Sequence, residues 1–354
     1  MKLKYFALAL PFAAPALAVA QSHLTVYGIA DAGVRHSSGM TASNAPSALS
    51  SSSVASGVNN TSRLGFRGRE DLGDGTYALF NFESGLNIDT GATANTAKFF
   101  DRAAVVGLGG NWGQVTAGRQ INLLSDAISP VDAVGMRFAS FNPNIVTAAL
   151  SNHGLGVEYG TSGATSGSYR LDNSLKYTGR FGPVTARAMY SFGENAGHTS
   201  AQSSMGGSLA IAKAGWMVSG AYQRFETAGN LKLRAATLGA SYQFEKVRLA
   251  FNTARSEGDT ATTSETVQRV HSVGATWSAM TSVDITAALY KVDRHRTGRS
   301  DDGYTRAMLF GEYKLSRRSK LYVELDRTQS RAGYQGALNK DRATGISTGV
   351  VHTF

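Results

Sequence analysis

Lys320-Leu-Tyr-Val-Glu-Leu-Asp326 alternates strictly: Leu321, Val323 and Leu325 fall on one face of an extended chain, and Tyr322, Glu324 and Asp326 on the other. Side chains of a strand point to opposite faces in turn, so period two over this length marks a strand with one apolar and one polar face. Pro183-Val-Thr-Ala-Arg-Ala-Met-Tyr-Ser-Phe192 repeats the pattern, with Val184, Ala186, Ala188, Tyr190 and Phe192 on one side. Working outward from these two, the rhythm continues from Leu24–His36 to Thr344–Phe354, and sixteen segments can be placed. An even number of alternating strands is the pattern of a single-chain bacterial membrane barrel, apolar toward lipid and polar within.

Composition agrees with many paired strands. The 354 residues include 40 glycines, only 6 prolines and no cysteine, and 17% are charged. Proline cannot donate to a ladder, so its scarcity favours sheet. The lack of cysteine excludes thiolate metal sites and cysteine nucleophiles in this chain. Residues 1–20 read as a secretory signal that is cleaved: Lys2 and Lys4 begin it, Phe6–Ala18 is apolar, and Ala18-Val-Ala20 is a small-x-small cleavage site. Pro11 and Pro15 interrupt the apolar run, which is too short for a membrane helix. Residues 21–354 are then expected to form one barrel domain, since lipid tolerates only helices and closed sheets. Loss of Lys2 and Lys4 lowers the net charge from +10 to +8. The arginines are spread along the chain and the protein is exported, so no nucleic acid is expected as a partner.

Connections alternate in length. Asp71–Gly75, Gly110–Gly113, Arg180–Pro183, Thr281–Ser282 and Arg317–Ser319 are short, whereas Ser37–Asn60, 121–168, Gly193–Met205, Gly258–Gln268 and Ala332–Ala343 are long. Short turns on one rim and long loops on the other is the outer-membrane arrangement. Trp112, Trp216 and Trp277 each lie beside a short turn, as an interfacial aromatic girdle requires. Ser37–Asn60 is serine-rich without periodicity and reads as a mobile external loop. In the longest connection, Ile121, Leu124 and Ile128 have helical spacing, which predicts a short helix and turn folded inward; an outward loop is the other arrangement.

Alternation also sorts the charges. With Leu64 and Phe66 toward lipid, Arg63, Arg67 and Arg69 point inward. With Leu171, Asn173, Leu175 and Tyr177 on one face, Arg170, Asp172, Ser174 and Lys176 share the other, and Arg187 is inward on its strand. Arg119 has the parity of Val115 and Ala117, so strict alternation sends it outward unless the strand has ended or bulged. Asp126 and Asp132 are the acids between Ile121 and Ser151, and Glu83 faces inward.

The chain resembles the Gram-negative general porins, trimeric sixteen-stranded barrels. Leu24-Thr-Val-Tyr-Gly-Ile-Ala-Asp-Ala-Gly33 is similar to their opening strand, and Ser62-Arg-Leu-Gly-Phe-Arg-Gly-Arg-Glu-Asp-Leu-Gly73 to their second strand and first turn. Val105–Gln120 is similar to the hairpin that leads to the constriction loop, and Val351-His-Thr-Phe354 to the assembly signal read by the barrel-assembly machinery. The resemblance implies passage of small hydrophilic solutes and ions across the outer membrane, a homotrimer embedded in lipid and lipopolysaccharide, no cofactor, and a constriction loop within 121–168. It puts Arg63, Arg119 and Arg170 in an arginine cluster on the wall, opposed by Asp126, Asp132 and Glu83. Two loop acids against several arginines imply a preference for anions. Ile29 stands where some relatives carry lysine, and a loop proline–glutamate motif is absent.

Other functions fare less well. None of the seven histidines (His23, His36, His153, His198, His271, His295 and His352) pairs at metal-ligand spacing, and no nucleophile-elbow sequence occurs, so no enzyme is expected. Two alternatives stay open: a substrate-specific channel, or a barrel whose loops act as an adhesin or receptor.

Overall fold

The computed structural model describes residues 23–148, 169–194, 196–197, 200–227, 229 and 231–354. The expected signal, residues 149–168 of the long connection, His153 and His198 lie outside them. The strands are β1 (His23–Met40), β2 (Pro46–Ser56), β3 (Arg63–Gly73), β4 (Thr76–Gly85), β5 (Ala103–Gly110), β6 (Gly113–Ile121), β7 (Arg170–Phe181), β8 (Val184–Ser191) and β9 (Ser204–Lys213). There follow β10 (Trp216–Glu226), β11 (Lys232–Phe244), β12 (Val247–Ala261), β13 (Ser264–Met280), β14 (Val283–Arg296), β15 (Asp302–Lys314), β16 (Ser319–Arg331) and β17 (Arg342–Thr353). Two short helices, α1 (Leu123–Ile128) and α2 (Pro143–Ala148), interrupt the series between β6 and β7.

All 17 strands join one antiparallel sheet that closes where β17 returns to β1. β2 and β3 lie end to end on one stave: β1 pairs with β3 along His23–Ile29 and with β2 from Ala32 to Met40. The barrel therefore has sixteen staves, as the alternation predicts. The break between β2 and β3 wraps around Asp31 on the inner face. Its Oδ2 accepts from the Asn59 and Asn60 N–H groups at 2.7 and 2.6 Å, and its Oδ1 from the Tyr322 hydroxyl at 2.9 Å.

The alternation of β16 is realised as read: Leu321, Val323 and Leu325 are exposed, while Tyr322, Glu324 and Asp326 are buried. The same outward rows carry Leu238, Leu249, Phe251, Val273 and Leu289, all exposed. An apolar band this extensive is unsuited to water and suits a hydrocarbon layer. Trp112, Trp216 and Trp277 are exposed near the rim of short turns.

Two loop expectations are corrected. Ser37–Asn60 is largely strand: β1 runs on to Met40 and β2 spans Pro46–Ser56, leaving residues 41–45 and 57–60 outside the ladder. Ser50 and Ser52 are exposed on the row of Val54, whereas Ser51 and Ser53 on the other face are half-buried and Ser37 is buried, so both faces are polar and no apolar period results. Gly258–Gln268 is likewise a strand extension, because β12 and β13 are joined across residues 262–263.

The seam is closed by the last residue. The Gly28 and Phe354 backbones exchange both N–H···O bonds at 3.1 Å. The phenylalanine ring covers Gly28, where a Cβ would lie 2.3 Å from ring Cζ. Gly28→Val should therefore force the ring out of the seam at a cost of about 1–3 kcal/mol. The check is heat-modifiable electrophoretic mobility: the variant should lose its compact band at a lower temperature than the parent.

Candidate functional site

Strand parity builds an inner face, and the segment after β6 is held against it. Asn122 caps α1, its side chain accepting from the Ser125 N–H at 2.9 Å. The helix buries Leu123, Leu124, Ala127 and Ile128 against Leu171, Met189, Phe225 and Leu233 of the neighbouring strands. Beyond it, the backbone passes two glycines that leave space for it. A Cβ on Gly239 would stand 2.5 Å from Val131 Cγ2, and one on Gly274 would stand 2.6 Å from Ala133 Cβ. The Pro130 carbonyl accepts from Ser241 Oγ at 3.1 Å and Arg248 at 2.6 Å. Arg137 pairs with Glu312 and donates to Thr286 Oγ1 at 2.9 Å, and Arg306 donates to the Phe141 carbonyl. These partners stand on the inward rows of β11–β15, opposite the exposed apolar rows. The expected helix is α1; α2 is an addition that the apolar spacing did not reveal.

Asp132 does not act as an open charge opposite the arginines, which corrects the expectation for it. It is fully buried. Its carboxylate accepts from the Val134 N–H, Asn142, Asn144 and the Tyr290 hydroxyl at 2.8–3.1 Å. It ties the segment to itself and to β14. Asp126 is more open, and Lys176 Nζ lies 2.9 Å from its Oδ2, with Arg187 Nε at 3.9 Å.

On the other wall, Arg63 opens β3 and Glu83 lies on β4. Glu83 accepts from Arg102 Nε at 2.6 Å and the Tyr27 hydroxyl at 3.0 Å, and Arg63 approaches it at 3.9 Å. The Arg170 guanidinium sits 4.4 Å over the Tyr169 ring and interacts electrostatically with Arg102 and Glu83. Arg63, Arg102, Arg170 and Glu83 thus form one cluster, with the Asp101 carboxylate acting on Arg102 from its edge, so three cations meet two acids. Arg67 is nearer the short-turn rim, over the Tyr27 ring at 4.9 Å. Arg102 escaped sequence reading because it lies in the aperiodic connection just before β5; Asp101-Arg102 carries no motif.

Arg119 is separate from this cluster, a second correction. It pairs with Ala104, in the outward row that includes Phe82. Its guanidinium bonds the Asp101 carbonyl and Asp172 Oδ1, both at 2.5 Å, and Lys98 also pairs with Asp172. Phe100 stacks on Phe82 at 5.2 Å, so the segment before β5 drapes over this outward cluster. The bulge that would turn Arg119 inward exists, but it belongs to β7: Asp172 and Asn173 together oppose Arg119. Asn173 takes the left-handed conformation (φ 50°). The extra residue also reverses the parity expected for the start of β7, placing Leu171 inside and Asp172 outside; Arg170, the first residue of the strand, shares the parity of Asp172, and its guanidinium reaches Arg102 and Glu83 from over the Tyr169 ring.

A closed sixteen-stave barrel with an apolar outer band and an internal segment bordered by charged clusters defines an outer-membrane channel-type barrel. A model of the Gram-negative porin family matches residues 6–333. The chain belongs to that family, and its place is the outer membrane. It is similar to outer membrane porin protein 32 of Delftia acidovorans, 28% identical with all of both chains covered. It is also similar to an outer membrane porin protein of Bordetella pertussis, 29% identical over 67% of this chain and 65% of that protein. Among solved structures, the anion-selective porin from Comamonas acidovorans superposes with a TM-score of 0.77 at 23% identity, over 94% of this chain and 100% of that one. The trimer form of OmpT from Vibrio cholerae gives 0.68 at 15% identity, over 94% and 99%. At these identities the structures share the fold.

Replacing Asp132 with alanine should leave Tyr290, Asn142 and Asn144 without their acceptor. A buried polar group stripped of its partner costs about 1–3 kcal/mol, enough to loosen the segment. Trypsin should then cut after Arg137 in the folded variant while the parent resists, with fragments read by mass spectrometry.

Proposed function

We propose that the protein is a general diffusion porin: a water-filled passage for small hydrophilic solutes and ions, narrowed by the segment from Asn122 to Pro143 and favouring anions. The observation that carries the anion preference is how the acids are disposed. Glu83 is outnumbered by Arg63, Arg102 and Arg170; Asp126 is shared by Lys176 and Arg187; Asp132 is buried. Both sides of the passage keep a positive excess. Low-dielectric walls focus such a field, so it sorts solutes by charge without a binding step. The similar fold of the anion-selective porin from Comamonas acidovorans agrees with this reading.

The reading assigns transport without catalysis and needs no cofactor. It includes a homotrimer, as in the OmpT trimer form, and recognition of Phe354 by the barrel-assembly machinery. The constriction is assigned to Arg63, Arg170, Arg102, Glu83 and Asp126.

The test is the reversal potential of the purified protein in a planar bilayer under a salt gradient. Arg63→Ser with Arg170→Ser should lower the anion-to-cation permeability ratio severalfold, each lost charge within a Debye length of about 8 Å being felt by a passing ion. Asp126→Asn should raise it. Arg119→Ser, removed from an outward cluster, should leave the ratio unchanged while lowering the unfolding temperature. An unaltered ratio in the Arg63/Arg170 double variant would remove the assignment; saturable conductance with one solute class would replace general diffusion by a specific channel.

A further inference from the structure

The interior has a recess at its long-loop end, apart from the charged clusters of the constriction. Tyr304 and Arg306 stand on the inward row of β15, just after the strand begins at Asp302. Together with Met40 at the end of β1, Phe141 of the internal segment, and Tyr334 and Gln335 of the connection before β17, they border a cavity of about 170 Å³. Its walls are largely aromatic. The Tyr304 and Tyr334 rings lie 4.9 Å apart, tilted by 58°, and the Arg306 guanidinium carbon sits 3.4 Å over the Phe141 ring.

Two polar groups in this lining have capacity to spare. Arg306 Nε donates to Thr328 Oγ1 at 2.9 Å, and Nη1 donates to the Phe141 carbonyl. Both acceptors are neutral. Among the described residues Nη2 has no acceptor, and no carboxylate lies within salt-bridge range of the guanidinium. Asp326 acts on it from farther off, but that carboxylate is held by Arg35 at 2.8 Å. Asp302 is held by Arg294 and Arg296 at 2.7 and 2.5 Å. The second group is the Gln335 amide, whose Oε1 is buried without a donor. Buried polar atoms are ordinarily bonded, so this one calls for a partner. With the amide turned over, Nε2 would take its place, and a hydroxyl serves either atom because it both donates and accepts. Lys340 also borders the recess; its Nζ lies 3.3 Å from Ser38 Oγ and has no carboxylate in range among the described residues.

We propose that the recess is a binding subsite for a small aromatic carboxylate with a ring hydroxyl: the carboxylate on Arg306, the ring against Tyr304 and Tyr334, and the hydroxyl on Gln335. Size sets the limit, since a cavity of about 150 Å³ takes one benzene ring. The planar guanidinium suits a carboxylate, and the tyrosine faces suit an offset or edge-on ring. An inorganic anion would engage Arg306 and leave the rings and the amide uncovered. The inference rests on the reading of the interior as a solute passage and adds to it a site of binding. None of these residues is among those assigned to the constriction.

The experiment titrates the folded, detergent-solubilised protein with 4-hydroxybenzoate, benzoate and cyclohexanecarboxylate, read by saturation-transfer NMR, with inorganic phosphate as competitor. The parent should bind 4-hydroxybenzoate most tightly, benzoate about 3- to 10-fold more weakly for want of one neutral hydrogen bond, and cyclohexanecarboxylate more weakly still. Arg306→Gln should weaken both aromatic acids about 10- to 100-fold, as expected for a hydrogen bond to a charged group. Arg306 also holds the internal segment, so two variants in the outer connection test the site independently. Tyr334→Leu should weaken both aromatic acids about 3- to 10-fold. Gln335→Leu should remove the preference for the hydroxylated acid and leave benzoate binding as it was. Heat-modifiable mobility verifies that each variant is folded. Equal affinity for cyclohexanecarboxylate, an unaffected Arg306→Gln variant, an undiminished hydroxyl preference in Gln335→Leu, or displacement by equimolar phosphate would overturn the proposal. Binding is read without a membrane, so absent conductance in the parent would count against the porin reading, and absent binding in a conducting parent against the subsite alone.

Discussion

Backbone groups facing hydrocarbon find no hydrogen-bond partner there, and each one left unpaired costs several kcal/mol. The rest of this structure depends on meeting that constraint by closing the sheet. Ten register pairs join β1 to β17, and Gly28 with Phe354 extends the seam to the last residue. Between β2 and β3 the ladder stops and restarts within one stave. There Asp31 substitutes for a strand: its carbonyl accepts from Gly57 N–H and Ser62 Oγ, and its carboxylate from Asn59 and Asn60. A buried acid is costly without such donors, and this one is surrounded by them.

Closure leaves an interior lined by the polar half of every strand, and the internal segment fills part of it through the same chemistry. Its two attachments differ in balance. α1 is held mainly by apolar packing, whereas the chain beyond it adds polar ties through Asp132, Arg137, Arg248 and Arg306 to the packing of Val134, Phe138 and Phe141 against Tyr290, Met308 and Phe310. Many interior acids are consumed in such work. Glu312 binds Arg137 and Lys320, and Glu324 and Asp326 both pair with Arg35 at 3.2 and 2.8 Å. The charge left facing the passage is therefore mostly arginine and lysine. The positive excess around the proposed constriction would then follow from where the acids are needed structurally as much as from the number of arginines.

The outside is divided as well. Outward rows on β1, β5 and β9 are uncharged, while those of β11–β14 carry Arg234, Arg255, Glu257, Arg269, Lys291 and Asp293 toward the long-loop rim. One alternation therefore serves three environments, because the polarity of successive outward residues changes with height along each strand.

Strand existence, barrel class and the facing of Arg63, Glu83, Lys176 and Arg187 were legible in the sequence, because a period of two is a local property that the fold can only obey. The short turns were legible for the same reason. What the tertiary structure decided are the places where the period slips or where contacts come from afar. The extra residue in β7 reversed Leu171 and Asp172, and family likeness alone had drawn Arg119 inward where its own parity put it outside. Asp132 looked like any acid on a loop until Tyr290, Asn142 and Asn144 enclosed it. Arg102 acquired its role only when β4 brought Glu83 beside it. Alternation determines which way a side chain points; only closure of the barrel determines what it meets there.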